Sequence, residues 1–174
     1  MSRGPSGREK GVFYGQTRRQ GVPDPYLPRK GLKEPTICPS CRAVYSKKRW
    51  VLDEGLYLDT KKQKGVNSQK CPACRKIEDG YAMGIVNLTG GFVIEHMDEI
   101  INLLRSEERH AMEKNPLERI MKIEKKANGL HVQLTSDSLA LRIGRVVHRA
   151  YKGDSKFEWK QGDKHVIVEW VRET

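Results

Sequence analysis

Residues 36–80 read TICPSCRAVYSKKRWVLDEGLYLDTKKQKGVNSQKCPACRKIEDG, and the Cys-Pro-x-Cys pairs at either end decide how the rest of the chain is read. Cys38 and Cys41 form the first pair, Cys71 and Cys74 the second, and the 174 residues contain no other cysteine. A Cys-x2-Cys segment folds as a tight knuckle that aims two thiolates at one point. Two knuckles supply the tetrahedral sulfur cage that Zn²⁺ prefers, so Cys38, Cys41, Cys71 and Cys74 are predicted to hold one structural zinc ion. Protein would fill all four positions, leaving none for substrate or water; such a site organises a fold and runs no reaction. Iron accepts the same soft ligands. Two disulfides would suit an oxidising compartment, and a thioredoxin-like motif needs one pair and leaves its twin unexplained. The 29 residues between Cys41 and Cys71 exceed the roughly 15–20 of a zinc ribbon, and the excess is expected to emerge as a loop.

Charge sets the class of partner. Lys and Arg number 33 against 22 Asp and Glu, a net +11 with a pI near 9.6. Residues 1–80 hold eighteen of the cations and eight of the acids, net +10 of that +11. An excess confined to one part of the chain points to a polyanion, most often nucleic acid, rather than to an evenly solvated surface. No apolar run approaches the roughly 20 residues that cross a bilayer, and no signal-peptide stretch opens the chain. A soluble, cytoplasmic protein with no membrane partner is expected.

Three regions follow in order. Residues 1–35 are rich in Gly, Pro, Arg and Lys without periodicity, and are expected to form a basic flexible arm, disordered when free. Phe13, Tyr14 and Tyr26 interleave there with Arg3, Arg8, Lys10, Arg18, Arg19, Arg29 and Lys30. Cations neutralise phosphates while rings stack on unpaired bases, so this composition suits RNA. Deleting residues 2–34 should therefore cost binding and spare the fold. Residues 36–80 form a zinc-ribbon-like module, in which Leu52, Leu56, Tyr57 and Leu58 are expected to cover the knuckles. Lys47, Lys48 and Arg49, and further on Lys61, Lys62 and Lys64, would project as phosphate contacts; Trp50 either packs beneath the loop or stacks on a base.

Residues 81–174 read as an α+β unit. Alternation over Gly84–Leu88 predicts a strand, and apolar spacings of three and four from Phe92 to Met112 predict a helix ended by Asn115-Pro116. Asn128-Gly129 between two alternating runs predicts a hairpin. Ser136-Asp137-Ser138 offers capping oxygens to a second helix, whose outer face carries Arg142, Arg145 and Arg149. A closing hairpin turns at Gln161-Gly162-Asp163. This order is the split βαβ, ferredoxin-like sandwich, an antiparallel sheet with both helices on one face, plus one extra strand. His96, His110, His131, His148 and His165 show no ligand spacing and read as filler. No phosphate-binding loop, paired-histidine helix motif or nucleophile elbow is present, so neither a catalytic residue nor a small-molecule substrate is expected.

The two Cys-Pro-x-Cys knuckles, the Met83-Gly84-Ile85-Val86 strand, and Ala127-Asn128-Gly129-Leu130 leading to Leu139-Ala140-Leu141-Arg142-Ile143-Gly144 resemble the amino-terminal portion of the archaeal and eukaryotic large-ribosomal-subunit export adaptor family. A group of uncharacterised bacterial proteins of similar length is more similar still. The likeness spans roughly residues 36–170. That family carries further knuckles and carboxy-terminal domains lacking here, so the resemblance implies contact with the ribosome, its large subunit or ribosomal RNA, and not export. A non-catalytic, monomeric ribosome-associated protein is expected, acting in hibernation under stress, in assembly or in quality control. The alternative is a zinc-ribbon DNA-binding regulator, for which the helix bearing Arg142, Arg145 and Arg149 would have to enter a major groove.

Overall fold

The computed structural model describes residues 12–14, 23–160 and 164–174. After a short strand at Val12–Tyr14 (β1), the knuckle region builds a four-stranded sheet from Thr36–Ile37 (β2), Val44–Ser46 (β3), Arg49–Val51 (β4) and Asn67–Ser68 (β5), in the order β4-β3-β2-β5. Helix α1 (Glu54–Lys61) lies between β4 and β5, and α2 (Pro72–Asp79) follows. The long spacer between the knuckles is therefore not a loop. It folds as a hairpin and a helix, because Asp53 caps α1 by accepting from the Leu56 N–H at 2.8 Å, with Glu54 in the first turn and Lys61 in the last, on the sides the helix dipole favours.

Tyr57 of α1 is buried, but Leu52, Leu56 and Leu58 are 39%, 36% and 47% exposed, so they do not cover the knuckles as expected. That role falls to Ala43, Tyr45, Trp50 and Ala73, packed with Cys38 and Cys71, and to Leu32 and Leu117 from outside the sheet.

The larger unit is a six-stranded sheet with helices against one face. Its elements are Gly84–Thr89 (β6), Gly91–Glu95 (α3), Met97–Lys114 (α4), Ile120–Lys126 (β7), Gly129–Leu134 (β8), Asp137–Tyr151 (α5), Asp154–Trp159 (β9) and Val166–Val171 (β10). Alternation settles which face is apolar: Val86 and Leu88, Leu130, Val132 and Leu134, and Val166, Val168 and Trp170 share one core with Ile100, Leu104, Leu139, Ile143 and Val147 of the helices. Ser136 caps α5 by accepting from the Leu139 N–H, as its position predicts. The opposite face carries a polar row in register, Glu124, His131, Asn87, Glu169 and Lys156, in which Asn87 bonds both His131 and Glu169.

Three details differ from the sequence expectation, the first being that the helix expected from Phe92 to Met112 is broken at His96 into α3 and α4. The sheet order is β1-β9-β10-β6-β8-β7, and β10 pairs with β6 in parallel. In a split βαβ sandwich the strand after the second helix would lie beside the first strand; here the extra strand inserts between them, so the sheet is mixed and not purely antiparallel. The Gly129 requirement also differs. Lys126 pairs with Gly129, which places the two-residue turn at 127–128. Gly129 has φ +149, and a Cβ there would sit 1.9 Å from the Leu88 carbonyl oxygen. Close approach of β8 to β6, rather than the turn, demands the glycine.

Part of the expected arm is anchored. The Asp24 carboxylate bonds the buried Lys76 ammonium, Tyr26 donates to Asp79 at 2.7 Å, and Leu32 packs on the small core. The backbone of β1 pairs in parallel with β9. A deletion to residue 34 would thus remove structural contacts. Among the described residues, no helix is long and apolar enough to cross a membrane.

Candidate metal centre

The four cysteine sulfurs lie within 4.8 Å of one another, with Cys41 and Cys71 at 3.7 Å. Each knuckle has a local cause. In the first, the Arg42 N–H donates to the Cys38 carbonyl and the Cys38 N–H to the Ala43 carbonyl, which requires Arg42 at φ +64. In the second, Cys71 is the cap of α2 and accepts from the Cys74 N–H at 3.4 Å, with Pro72 in the first turn. The Cys71 N–H in turn donates to the Cys38 sulfur at 3.3 Å, so backbone dipoles already face the sulfurs.

The electrostatics call for a cation. Burial and the charge of Cys41 push the Cys74 thiol up to about 11. Cys71 is raised further by its sulfur contacts with Cys38 and Cys41, while contacts from Cys41 and Cys71 hold Cys38 low. Four thiolates this close repel one another unless positive charge sits among them. The four-cysteine group can hold a metal ion.

One cation is supplied by the protein itself. Arg119, 8% exposed, enters from the loop before β7 and donates to Cys41 at 3.1 Å and Cys74 at 3.4 Å, with its Nε on the Pro116 carbonyl at 2.7 Å. Burial alone would lower this guanidinium; the Cys41 hydrogen bond and the charges of Cys41, Cys71 and Cys74 outweigh it and raise it. Thr135 fixes the loop. Its hydroxyl donates to the Leu117 carbonyl at 2.6 Å and accepts from the Arg119 N–H at 2.8 Å. Its own carbonyl accepts from Lys76, whose ammonium also meets Met83 Sδ and pairs with Asp24. Two buried cations, one from each unit, therefore clamp the cysteine region to the larger sheet. Neither was readable from sequence, since a lone Arg or Lys far from the cysteines carries no spacing signal.

The remaining candidates fall into three groups. Arg3, Arg8, Lys10, Arg18 and Arg19 lie outside the described residues. Arg29, Lys30, Lys47, Lys48, Arg49, Lys61, Lys62 and Lys64 are all exposed, with Lys62 at a loose 3.9 Å from Asp59 and Lys61 over the Tyr57 ring. Trp50 is 6% exposed and packs edge-on against Tyr45, so of its two expected roles the structure shows packing.

The turn joining β3 to β4 is unusual. Lys47 and Lys48 have φ +52 and +62, the left-handed pair that a tight hairpin requires and that Asn-Gly normally supplies. Each costs about 1 kcal/mol or more in this conformation. Both N–H groups donate to the Glu34 carboxylate, at 2.9 and 2.7 Å, which holds the turn and leaves both ammonium groups in solvent. On α5, Arg142 pairs with Glu107 at 2.7 Å while Arg145 and Arg149 stay exposed.

The chain matches no protein-family model, and neither a curated protein nor a solved structure is significantly similar to it.

Proposed function

We propose that this is a non-catalytic zinc protein that binds RNA, with the ribosome, its large subunit or ribosomal RNA as the partner suggested by the family likeness. The observation that carries the reading is that net +10 of a total +11 resides in residues 1–80, the part of the chain organised by the cysteine cage. Zinc fits the donor set: a tetrahedron with roughly 2.3 Å zinc–sulfur bonds has edges of roughly 3.8 Å, and the Cys41–Cys71 separation is 3.7 Å. Cys38, Cys41, Cys71 and Cys74 would be its ligands, and the ion would supply positive charge and rigidity only. Arg119 offsets part of the charge that four thiolates leave on such a complex.

The order β6-α4-β7-β8-α5 supports a ferredoxin-like core modified by the inserted β10, and that body serves as the rigid base on which the basic module is held. Cytoplasmic location follows from the reduced thiols such a site needs. The test is co-sedimentation of zinc-loaded protein with ribosomal subunits as salt is raised. Binding that falls steeply with salt is expected, because phosphate contacts release counterions; salt-independent binding, or none, would refute the reading.

A further inference from the structure

Strand β4 with Leu52, and the end of α4, flank an open cleft of about 390 Å³ at the seam between the two units. Its apolar floor includes Trp50, Leu52 and Met112, and three cations stand round it, Arg49, Arg109 and Lys114, with Glu113 the one acid in its lining. All three cations are exposed, and among the described residues no ion pair engages them. They come from two distant stretches of sequence. Unpaired cations around an apolar floor match a nucleotide, whose phosphate is anionic and whose base and ribose present flat apolar faces.

The hairpin tip extends this surface. Lys47 and Lys48 precede Arg49 directly and hold a strained turn that Asn-Gly would form without strain. Strain kept where an easier residue exists points to what the side chains do, and here they add two solvent-facing ammonium groups beside the cleft strand. The volume is near the low end of the roughly 300–1,000 Å³ of ligand clefts, room for about one nucleotide of a single strand whose neighbours run on past the Lys47-Lys48 turn, and too small for a duplex.

We propose that this cleft, with the Lys47-Lys48 turn at its lip, seats a segment of single-stranded RNA, phosphates on the cations and a base or ribose on the apolar floor. This deepens the RNA-binding reading above and rests on it. The test uses the full zinc-loaded chain and a mixed-sequence single-stranded RNA oligonucleotide, with affinity measured by fluorescence anisotropy over a salt series. Zinc content and melting temperature are followed for each variant. Arg109→Gln with Lys114→Gln should make the log–log salt slope shallower by about 1.4, since each single-strand phosphate contact contributes roughly 0.7. Lys47→Asn with Lys48→Gly should weaken binding in the same way while the melting temperature stays level or rises, an outcome a purely structural role would not give. If wild-type protein binds RNA and both variants keep its affinity and slope, the cleft assignment fails and the general reading stands. If wild-type protein binds no RNA, both fail; so does the cleft assignment if an acidic peptide, and not RNA, responds to the variants.

Discussion

The two halves of this molecule hold together by different means. The larger sheet buries a continuous apolar core from five strands and three helices, with Leu88, Ile100, Leu104, Leu134, Ile143 and Trp170 all shielded from water. The cysteine region buries six residues as its core, two of them metal-ligand candidates and two of them alanines. Apolar burial scales with the size of the core, and small units need staples. One half is therefore self-sufficient, and the other depends on its sulfurs and on two buried cations shared with its neighbour.

The largest effect that would break this contrast is loss of the zinc proposed above. Cys71→Ser, or a strong chelator, should unfold the cysteine region and spare the larger sheet, since structural zinc contributes roughly 10–16 kcal/mol to folding its site. Near-ultraviolet circular dichroism from Trp50 and Tyr45 should collapse while most far-ultraviolet signal persists; a mutant holding one zinc per chain at full affinity would refute the ligand set. The pH dependence has a definite sign. With the Cys74 thiol pushed up to about 11 and Cys71 raised as well, metal loading displaces protons at neutral pH, so affinity should fall as pH falls.

Next in size is Lys76→Met. It leaves the half-buried Asp24 carboxylate and the buried Thr135 carbonyl without their partner and should destabilise the seam by about 3 kcal/mol, read as a lower first transition in thermal melts. Arg119→Gln should follow, with metal affinity reduced about 10–100-fold in chelator competition, the usual cost of losing a group that supports the ligands. Unchanged affinity would mean the guanidinium merely fills space. The mildest comparison is between two deletions. Removing residues 2–11, which leaves β1 on the sheet edge, should lower RNA affinity with little change in melting temperature. Removing 2–34 should also cost stability, because Asp24, Tyr26, Leu32 and Glu34 leave with it.

What the sequence discloses follows the same division. The four cysteines, the Ser136 cap, the end of α4 at Asn115 and the alternation in β6 and β8 are local signals, and the structure places each where such signals point. The seam is a tertiary matter. Arg119 and Lys76 are single charged residues that reach across to the cysteine sulfurs and to the Thr135 carbonyl in the other unit, and Thr135 acts through a carbonyl and a hydroxyl that no pattern marks. Lys47 and Lys48 are expected on a projecting turn, but its left-handed backbone carries no local signal, because it is held by Glu34, thirteen residues before Lys47. Helix α1 escaped because its outward leucines blur the apolar stripe on which helix reading depends.

The position of β10 has a kinetic consequence. It is the last strand of its sheet in chain order, yet it lies between β9 and β6. Until Val166–Val171 has emerged from synthesis and threaded into place, β6 offers an unsatisfied edge, and the hairpin β7–β8 with its neighbouring helices can gather only as a half-built layer. Parallel pairing of such remote segments closes slowly, so the rate-limiting barrier for this half should reside in seating that strand, and substitutions at Val168 should slow refolding more than equally buried ones in β8.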